Sequence, residues 1–521
     1  MEERVLVMME VSQKQSYIFA TNALMDHVKR SAAVSWVTSA KFIKKICQDE
    51  FSEEEHLVYG GGGHIVLTFS KEEEAKKQVG KITRSIREDF PEMEVFVKLM
   101  AYDKEKGPAE NLEELERQME QKKAVRKAAF CQGTFGIEKM DAATLTPIRA
   151  GKKGEDLLSE EDNELEKLCP QGYIWAKRFE DLGISKGESS FIAVVHIDGN
   201  GMGKRVKEFR RQREGETWET YRKRLKKFSQ DIDRHYKEAF GEMESVVKTN
   251  LESGRLSKLS LEGSYFPVRG IIAAGDDICF VTEGRIGLES AAAFLRALAQ
   301  KKNEGDQRFY EACAGVAIVH HKYPFYRAYE LAKQLCESSA KNYAAKLGGA
   351  CVMDWHFEFG EIADSVEELR KDYVARDGSH MMLRPYFVCE SQEGKGSREK
   401  AGVRTYENFR SLMRELLKPE EAYASGKLSQ LRGAIREGEK QTAYFLKKNL
   451  LDKLTLTGYQ NIYEKPQIGK IGTGQGQERK AYVQIQGEKY SLLYDGVEAR
   501  DLYLELEEGG KQDEGGNEAV V

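Results

Sequence analysis

The stretch Val268-Arg-Gly-Ile-Ile-Ala-Ala-Gly-Asp-Asp-Ile-Cys-Phe-Val-Thr282 reads as two buried strands, Val268 to Ala273 and Ile278 to Thr282, around a Gly-Asp-Asp turn. Short apolar runs bounded by Gly and Asp are the pattern of buried strands. Upstream, Phe191 to Ile197 is another buried strand, and it ends in Asp198. Between them runs a long amphipathic helix, with Tyr221, Leu225, Phe228, Ile232, Tyr236 and Phe240 at three- and four-residue steps; this aromatic stripe reads as core packing. Downstream come a helix (Glu289 to Lys302), a strand (Ala312 to His320), a helix (Pro324 to Lys346) and a strand (Ala350 to Asp354). The order is β-α-β-β-α-β with an enlarged first crossover, the ferredoxin-like plan.

The first hundred residues follow the same plan. Arg4 to Val11 is a strand and Thr21 to Cys47 a helix. His56 to Gly60 and His64 to Phe69 form a hairpin closed by Gly60-Gly-Gly-Gly63. Lys71 to Asp89 is a helix and Glu94 to Ala101 a strand. The chain therefore reads as α+β, with two ferredoxin-like, palm-type domains. The expected units are a first palm at 1–103, a connector at 104–190 holding one clear helix (Glu110 to Phe130) and a second palm at 191–360. A mainly helical domain with short hairpins follows at 361–508, with helices at Arg404 to Leu417 and Leu428 to Leu451. The glycine-rich acidic tail, 509–521, is expected to be disordered.

Composition narrows the function classes. In 521 residues, 81 Lys and Arg face 86 Asp and Glu, a net charge of −5, so no whole-chain basic footprint for nucleic acid exists. Local basic runs remain, at Arg210-Arg211, Arg213, Arg222-Lys-Arg224 and Lys226-Lys227; a solvated helix face competes there with an RNA contact. No run of about 18 apolar residues suggests a membrane span, and the N-terminus lacks signal-peptide order, so a cytoplasmic location is expected. The eight cysteines form no C-x-x-C pair. Cys279, Cys313 and Cys351 read as reduced core thiols, and Cys131 with Cys169 is too little for a zinc site. His320-His321 reads as a polar strand exit.

In the ferredoxin-like plan the first strand is a central neighbour of the hairpin formed by the second and third. Asp198 can therefore converge with Asp276 and Asp277. Phosphoryl transfer from a nucleoside triphosphate needs divalent metal held by such carboxylates. A plain hairpin turn explains Asp276-Asp277 taken alone; Asp198 at the end of a buried strand in the matching place weighs against it. Gly199, Gly201 and Gly203 let backbone amides approach phosphate, Gly275 opens the turn, and Lys204 offers a point charge. The first palm has no matching carboxylates.

At these residues the sequence resembles the large polymerase/cyclase subunit of type III CRISPR effector complexes, and stand-alone proteins carrying the same second palm. The resemblance rests on an ordered set: Ser16-Tyr-Ile-Phe19 with Lys29-Arg-Ser31, Tyr59-Gly-Gly-Gly-Gly-His64, Ile197-Asp-Gly-Asn-Gly-Met-Gly-Lys204, Pro267 through Asp277, and Ala314 through Pro324 with Ala340-Lys341. It implies joining of ATP into cyclic oligoadenylate second messengers with Mg²⁺ or Mn²⁺, in antiviral defence. Asp198, Asp276 and Asp277 would hold the metals, and Lys204 and Lys341 would meet the triphosphate. Gly61, Gly62 and Gly63 would line the acceptor nucleotide, and Ser31 would contact base or ribose. Three departures accompany it. The chain starts on the palm strand with no His-Asp dipeptide, so no HD nuclease is expected. The connector cysteines are mostly missing. Ala274 and Asn200 replace the family's Gly and Asp.

Three functions share these residues: a cyclic oligonucleotide synthase using ATP, a GTP-using cyclase, and a palm scaffold binding nucleotide or RNA. The expected partners are nucleoside triphosphates, with RNA or CRISPR effector subunits as further candidates and no membrane; the net charge of −5 and the missing nuclease domain favour a reduced or stand-alone system, with a homo-oligomer open.

Overall fold

The computed structural model describes residues 4–125, 154, 158, 163–185, 190–213, 215–358, 365–394, 396–417, 425–449 and 481–508. The first palm comprises β1 (Val5–Val11), α1 (Lys14–Ile18), α2 (Leu24–Val37), α3 (Ala40–Cys47), β2 (Leu57–Gly61), β3 (His64–Phe69), α4 (Glu72–Asp89) and β4 (Val95–Ala101). Its sheet order is β2-β3-β1-β4, all antiparallel, which is the ferredoxin-like order. The helix expected over Thr21 to Cys47 is two. It breaks at Ser39, whose hydroxyl accepts from the Phe42 amide as a new N-cap. Helix α5 (Pro108–Ala124) opens the connector; the remainder of the expected helix to Phe130, and Cys131, lie outside the described residues.

The second palm is built from β5 (Phe191–Gly199), α6 (Met202–Arg211), α7 (Trp218–Glu252), β6 (Val268–Ala274), β7 (Asp277–Glu283), α8 (Gly287–Ala299) and β8 (Ala312–His320). After these come α9 (Phe325–Gln334), α10 (Lys341–Leu347) and β9 (Cys351–Glu358). A further strand, β10 (Tyr386–Cys389), joins the same sheet, giving the order β10-β9-β8-β5-β7-β6. The helix expected over Pro324 to Lys346 carries a π-turn at Leu335–Ala340. There it presses on β8, where a Cβ at Gly315 would sit 1.9 Å from the Ala332 carbonyl oxygen, so only glycine admits this approach.

Strand alternation explains the packing. On β5, Val195 and Ile197 face one core with Tyr236 and Phe240 of α7, while Ile192 and Val194 face another with Tyr329 of α9. First-palm residues enter both cores: Leu6, Met8 and Tyr59 join the first, Val5, Val7 and Met9 the second. Each fully buried Val or Ile contributes about 1.5–3 kcal/mol, so the two palms are held against one another by a continuous apolar seam.

The C-terminal part holds α11 (Tyr406–Leu416), α12 (Ser425–Glu437), α13 (Glu439–Lys448), the hairpin β11 (Tyr482–Ile485) and β12 (Glu488–Ser491), and α14 (Tyr494–Ala499). The single helix expected over Leu428 to Leu451 breaks at Gly438, whose φ of +115° no helix tolerates. The tail, 509–521, lies outside the described residues. Among the described residues no helix is long and apolar enough to cross a membrane.

Candidate functional site

The β6–β7 hairpin pairs Ala274 with Asp277, leaving Gly275-Asp276 as a two-residue turn in which Gly275 takes φ +66°. In the β5–β7 ladder Ile197 faces Ile278, so Asp198, one residue further, comes level with Asp277. Asp276 is folded back against β5: a Cβ added at Gly199 would lie 3.1 Å from Asp276 Oδ2 and 2.7 Å from the Tyr236 hydroxyl. Gly199 thus serves as the space in which an acid and a phenol meet.

The site carries excess negative charge. Burial, then the charges of Asp198 and Asp277, push Asp276 up to about 7. Burial and Asp198 push Asp277 up to about 6. Asp277 Oδ1 is buried with no hydrogen-bond partner, although the side chain as a whole is 37% exposed. His196 Nδ1 is 3.6 Å away, too far for a hydrogen bond, and burial holds that imidazole down to about 4, so it is neutral and does not compensate the carboxylate. The Tyr236 hydroxyl has no partner either, and burial with Asp276 and Asp198 raises its pKa.

Asp276, Asp277 and Gly275 open into a cavity of about 820 Å³ between the palms. The first-palm hairpin lines it too, with Gly61 and Gly62 at φ +144° and +63°, together with Ser31 and Lys14; a Cβ at Gly62 would stand 3.7 Å from the Ala274 carbonyl oxygen, so the two hairpins approach each other here. Gly203 lines it from the first turn of α6, a ten-residue helix whose N-terminal amides favour anions. A second cavity, about 430 Å³, lies against the same hairpin and shares Ser31, Gly61 and Gly62.

Other expected residues are placed differently. Gly63 does not line the cavity: its carbonyl accepts from the Val11 amide at 2.9 Å, and its bare Cα accommodates the Lys14 stem. Lys204 is 83% exposed and stands 3.7 Å from Glu208, away from the cavity lining. Lys341 is bonded to Asp198, and neither lines the cavity. Asn200 donates to the Ala350 carbonyl at 2.8 Å, so its amide braces the sheet and does not stand in for a carboxylate ligand.

The donor set at Asp276 and Asp277 suits a hard divalent cation: carboxylate oxygens, one buried and unpartnered, whose mutual repulsion a cation would relieve. Among the described residues no three acidic, histidine or cysteine side chains form a ready-made metal shell. Asp198 could complete one only by exchanging its bond to Lys341.

The basic run is largely consumed in the fold. Arg210 is buried and donates to Glu116 at 2.7 Å and to the Tyr59 hydroxyl at 3.0 Å, tying α6 to the connector and to the first palm. Arg222, also buried, donates to the Leu57 carbonyl at 2.9 Å. Arg211 pairs with Glu113 and Arg224 with Glu216. Arg210 and Arg222 are therefore structural, whereas Arg211, Arg213, Lys223 and Lys227 stay exposed on a solvated face. His321 contacts the Ser190 carbonyl and Glu180 and lies beside His320, and among the described residues no metal-holding cluster of three such groups forms.

Sequence reading passed over His196 and Tyr236. His196 was detectable, since it lies two residues before Asp198 on the same strand face. Tyr236 sits in an aromatic stripe, and nothing in its spacing marks the hydroxyl that faces the carboxylates.

Residues 191–347 match the family model of the Cas10/Cmr2 second palm domain. The whole fold is similar to that of Csm1 from T. onnurineus (TM-score 0.54, 15% identity, covering 96% of this chain and 69% of that one). It is equally similar to the structure of a Csm1–Csm4 cassette in complex with cA4 (TM-score 0.54, 15% identity, 96% and 69%). A Csm1–Csm4 cassette in complex with AMPPNP gives a TM-score of 0.52 at 13% identity, with the same coverage. Among curated proteins none matches the sequence. Residues 191–347 thus carry a Cas10/Cmr2-type second palm, within a two-palm fold with a helical C-terminal region like that of these structures.

Proposed function

We propose that this Cas10-like chain is a metal-dependent nucleotidyltransferase that joins ATP into cyclic oligoadenylates. One observation carries the reading: Asp276 and Asp277 of the second palm and the glycine hairpin of the first line a single cavity. Two nucleotides held there would be brought together by position alone, which accounts for much of the catalysis of phosphoryl transfer. Mg²⁺ or Mn²⁺ on Asp276 and Asp277, with Asp198 once Lys341 releases it, would supply charge neutralisation at the attacking and leaving oxygens. Gly61 and Gly62 admit one nucleotide close to backbone, Ser31 offers it a hydroxyl, and the α6 amides around Gly203 face the phosphates of the other.

The Csm1–Csm4 cassettes seen with cA4 and with AMPPNP support an adenine nucleotide substrate and a place beside CRISPR effector subunits. A cytoplasmic location goes with that assembly.

The test is incubation of the purified chain with labelled ATP or GTP and Mn²⁺, with and without RNA. Cyclic product from ATP is expected. Product from GTP alone would make the chain a GTP cyclase, and no product under any condition would leave a nucleotide-binding scaffold. Product from an Asp276→Ala, Asp277→Ala double variant would overturn the site.

A further inference from the structure

Polyphosphate needs cations, and the two lysines that the sequence offers are elsewhere: Lys204 points to solvent and Lys341 holds Asp198. Lys14 is placed differently. It begins α1, just after the end of the first palm's central strand, and lines the interpalm cavity together with Asp276 and Asp277. Its ammonium donates to the Gly62 carbonyl, a neutral acceptor; its charge is felt by Asp277, yet among the described residues no carboxylate lies within 4 Å of it as an ion-pair partner. Half-buried charges are ordinarily paired, because desolvation without a counter-charge is costly. The lysine stem is also held in place: a Cβ at Gly63 would come within 2.6 Å of Lys14 Cδ and 3.0 Å of Val34 Cγ1, so glycine at 63 is what lets the stem lie across the hairpin.

These observations join into one arrangement. The cavity is lined both by acidic carboxyls and by a lysine whose present acceptor is replaceable. A nucleoside polyphosphate whose divalent cation was held by Asp276 and Asp277 would bring its phosphates into the space that this lysine lines. We propose that Lys14 is the first palm's phosphate-binding residue, leaving the Gly62 carbonyl to bind a phosphate group of a nucleotide in the interpalm cavity. This rests on the nucleotide-binding reading of the same cavity. Gly63 then has a function distinct from that of Gly61 and Gly62: it makes room for the lysine and does not touch the nucleotide.

The experiment is calorimetric titration of the full chain with ATP and with GTP in Ca²⁺, and with adenosine and guanosine as phosphate-free probes. Thermal melts establish that each variant is folded. Lys14→Met should weaken triphosphate binding about 10- to 100-fold, the loss of one charge-assisted bond, while nucleoside binding is unchanged. Lys14→Arg should retain most of the affinity, and Gly63→Ala, by displacing the stem, should mimic Lys14→Met. Equal triphosphate affinity in Lys14→Met and wild type would overturn the assignment, as would a matching loss of nucleoside and triphosphate. Wild-type protein that takes up neither ATP nor GTP would instead overturn the nucleotide reading, and Lys14's role with it.

Discussion

The ammonium of Lys341, at the start of α10, is hydrogen-bonded to the carboxylate of Asp198, at the end of β5. The strand-end acid is therefore paired from within the palm, while Asp276 and Asp277 have no direct ion pair with a lysine or arginine among the described residues and feel lysine charges only from further away. Each side chain of the pair is 26% exposed, so the bond is neither fully screened nor deeply buried.

Replacing Lys341 with Met should free Asp198 and add its charge to the other two. The metal-free protein should lose about 1–2 kcal/mol of stability, between the values typical of exposed and buried pairs. Its Mn²⁺-induced rise in melting temperature should exceed that of wild type. Melting curves at pH 8 with and without Mn²⁺ check both outcomes; an equal metal shift would mean that Asp198 does not reach the ion.

The raised carboxyl pKa values set a pH dependence. The folded state holds protons on Asp276 up to about 7 and on Asp277 up to about 6, whereas the unfolded chain releases them near the ordinary 3.8. Between those limits the native state binds more protons, so metal-free stability falls as pH rises through the window. Asp276→Asn should therefore stabilise the metal-free protein at pH 8, on the order of 1 kcal/mol after allowing for solvent access, and have little effect at pH 4. Metal affinity in wild type should rise through the same window. Denaturant titrations across pH test the sign.

Gly199→Ala should force its new methyl into the Tyr236 hydroxyl and Met202, which stand 2.7 Å and 2.4 Å from the Cβ position. Overpacking of this kind costs about 1–3 kcal/mol. Tyr236→Phe removes a buried hydroxyl that has no partner, so it should be close to neutral by itself and should recover part of the loss in the double variant. Additive effects in thermal melts would show that the two residues do not meet.

Arg210→Met should strip the guanidinium that bonds both Glu116 and the Tyr59 hydroxyl, leaving Glu116 at the cavity rim without its ion pair and held only by the long Tyr59 hydroxyl bond of 3.3 Å. Breaking a pair with one buried partner typically costs about 3–5 kcal/mol; because Glu116 is 31% exposed, the lower end is expected. Stability should change with little added dependence on salt, whereas an arginine reserved for RNA phosphate would leave the melt unaffected.

The sequence by itself determined the fold plan. Apolar runs at Phe191 to Ile197, Val268 to Ala273 and Ile278 to Thr282, and their echo in the first hundred residues, specify strand order and the repeat because side-chain periodicity is a local property of the backbone. The same runs locate Asp198, Asp276 and Asp277, since a buried strand must end where its apolar residues end. Helix breaks at Ser39, Gly438 and the π-turn over Ala340 were hidden, because capping and close packing depend on what lies alongside. Tertiary structure alone decided which charges meet. Lys341 reaches Asp198 across 143 residues and Arg222 reaches Leu57 across 165, and no local pattern encodes either pairing. So the carboxylates were legible, but the lysine that shares their cavity was not. Lys204 adjoins the motif in sequence yet is exposed to solvent, while Lys14, on the other palm, lines their cavity.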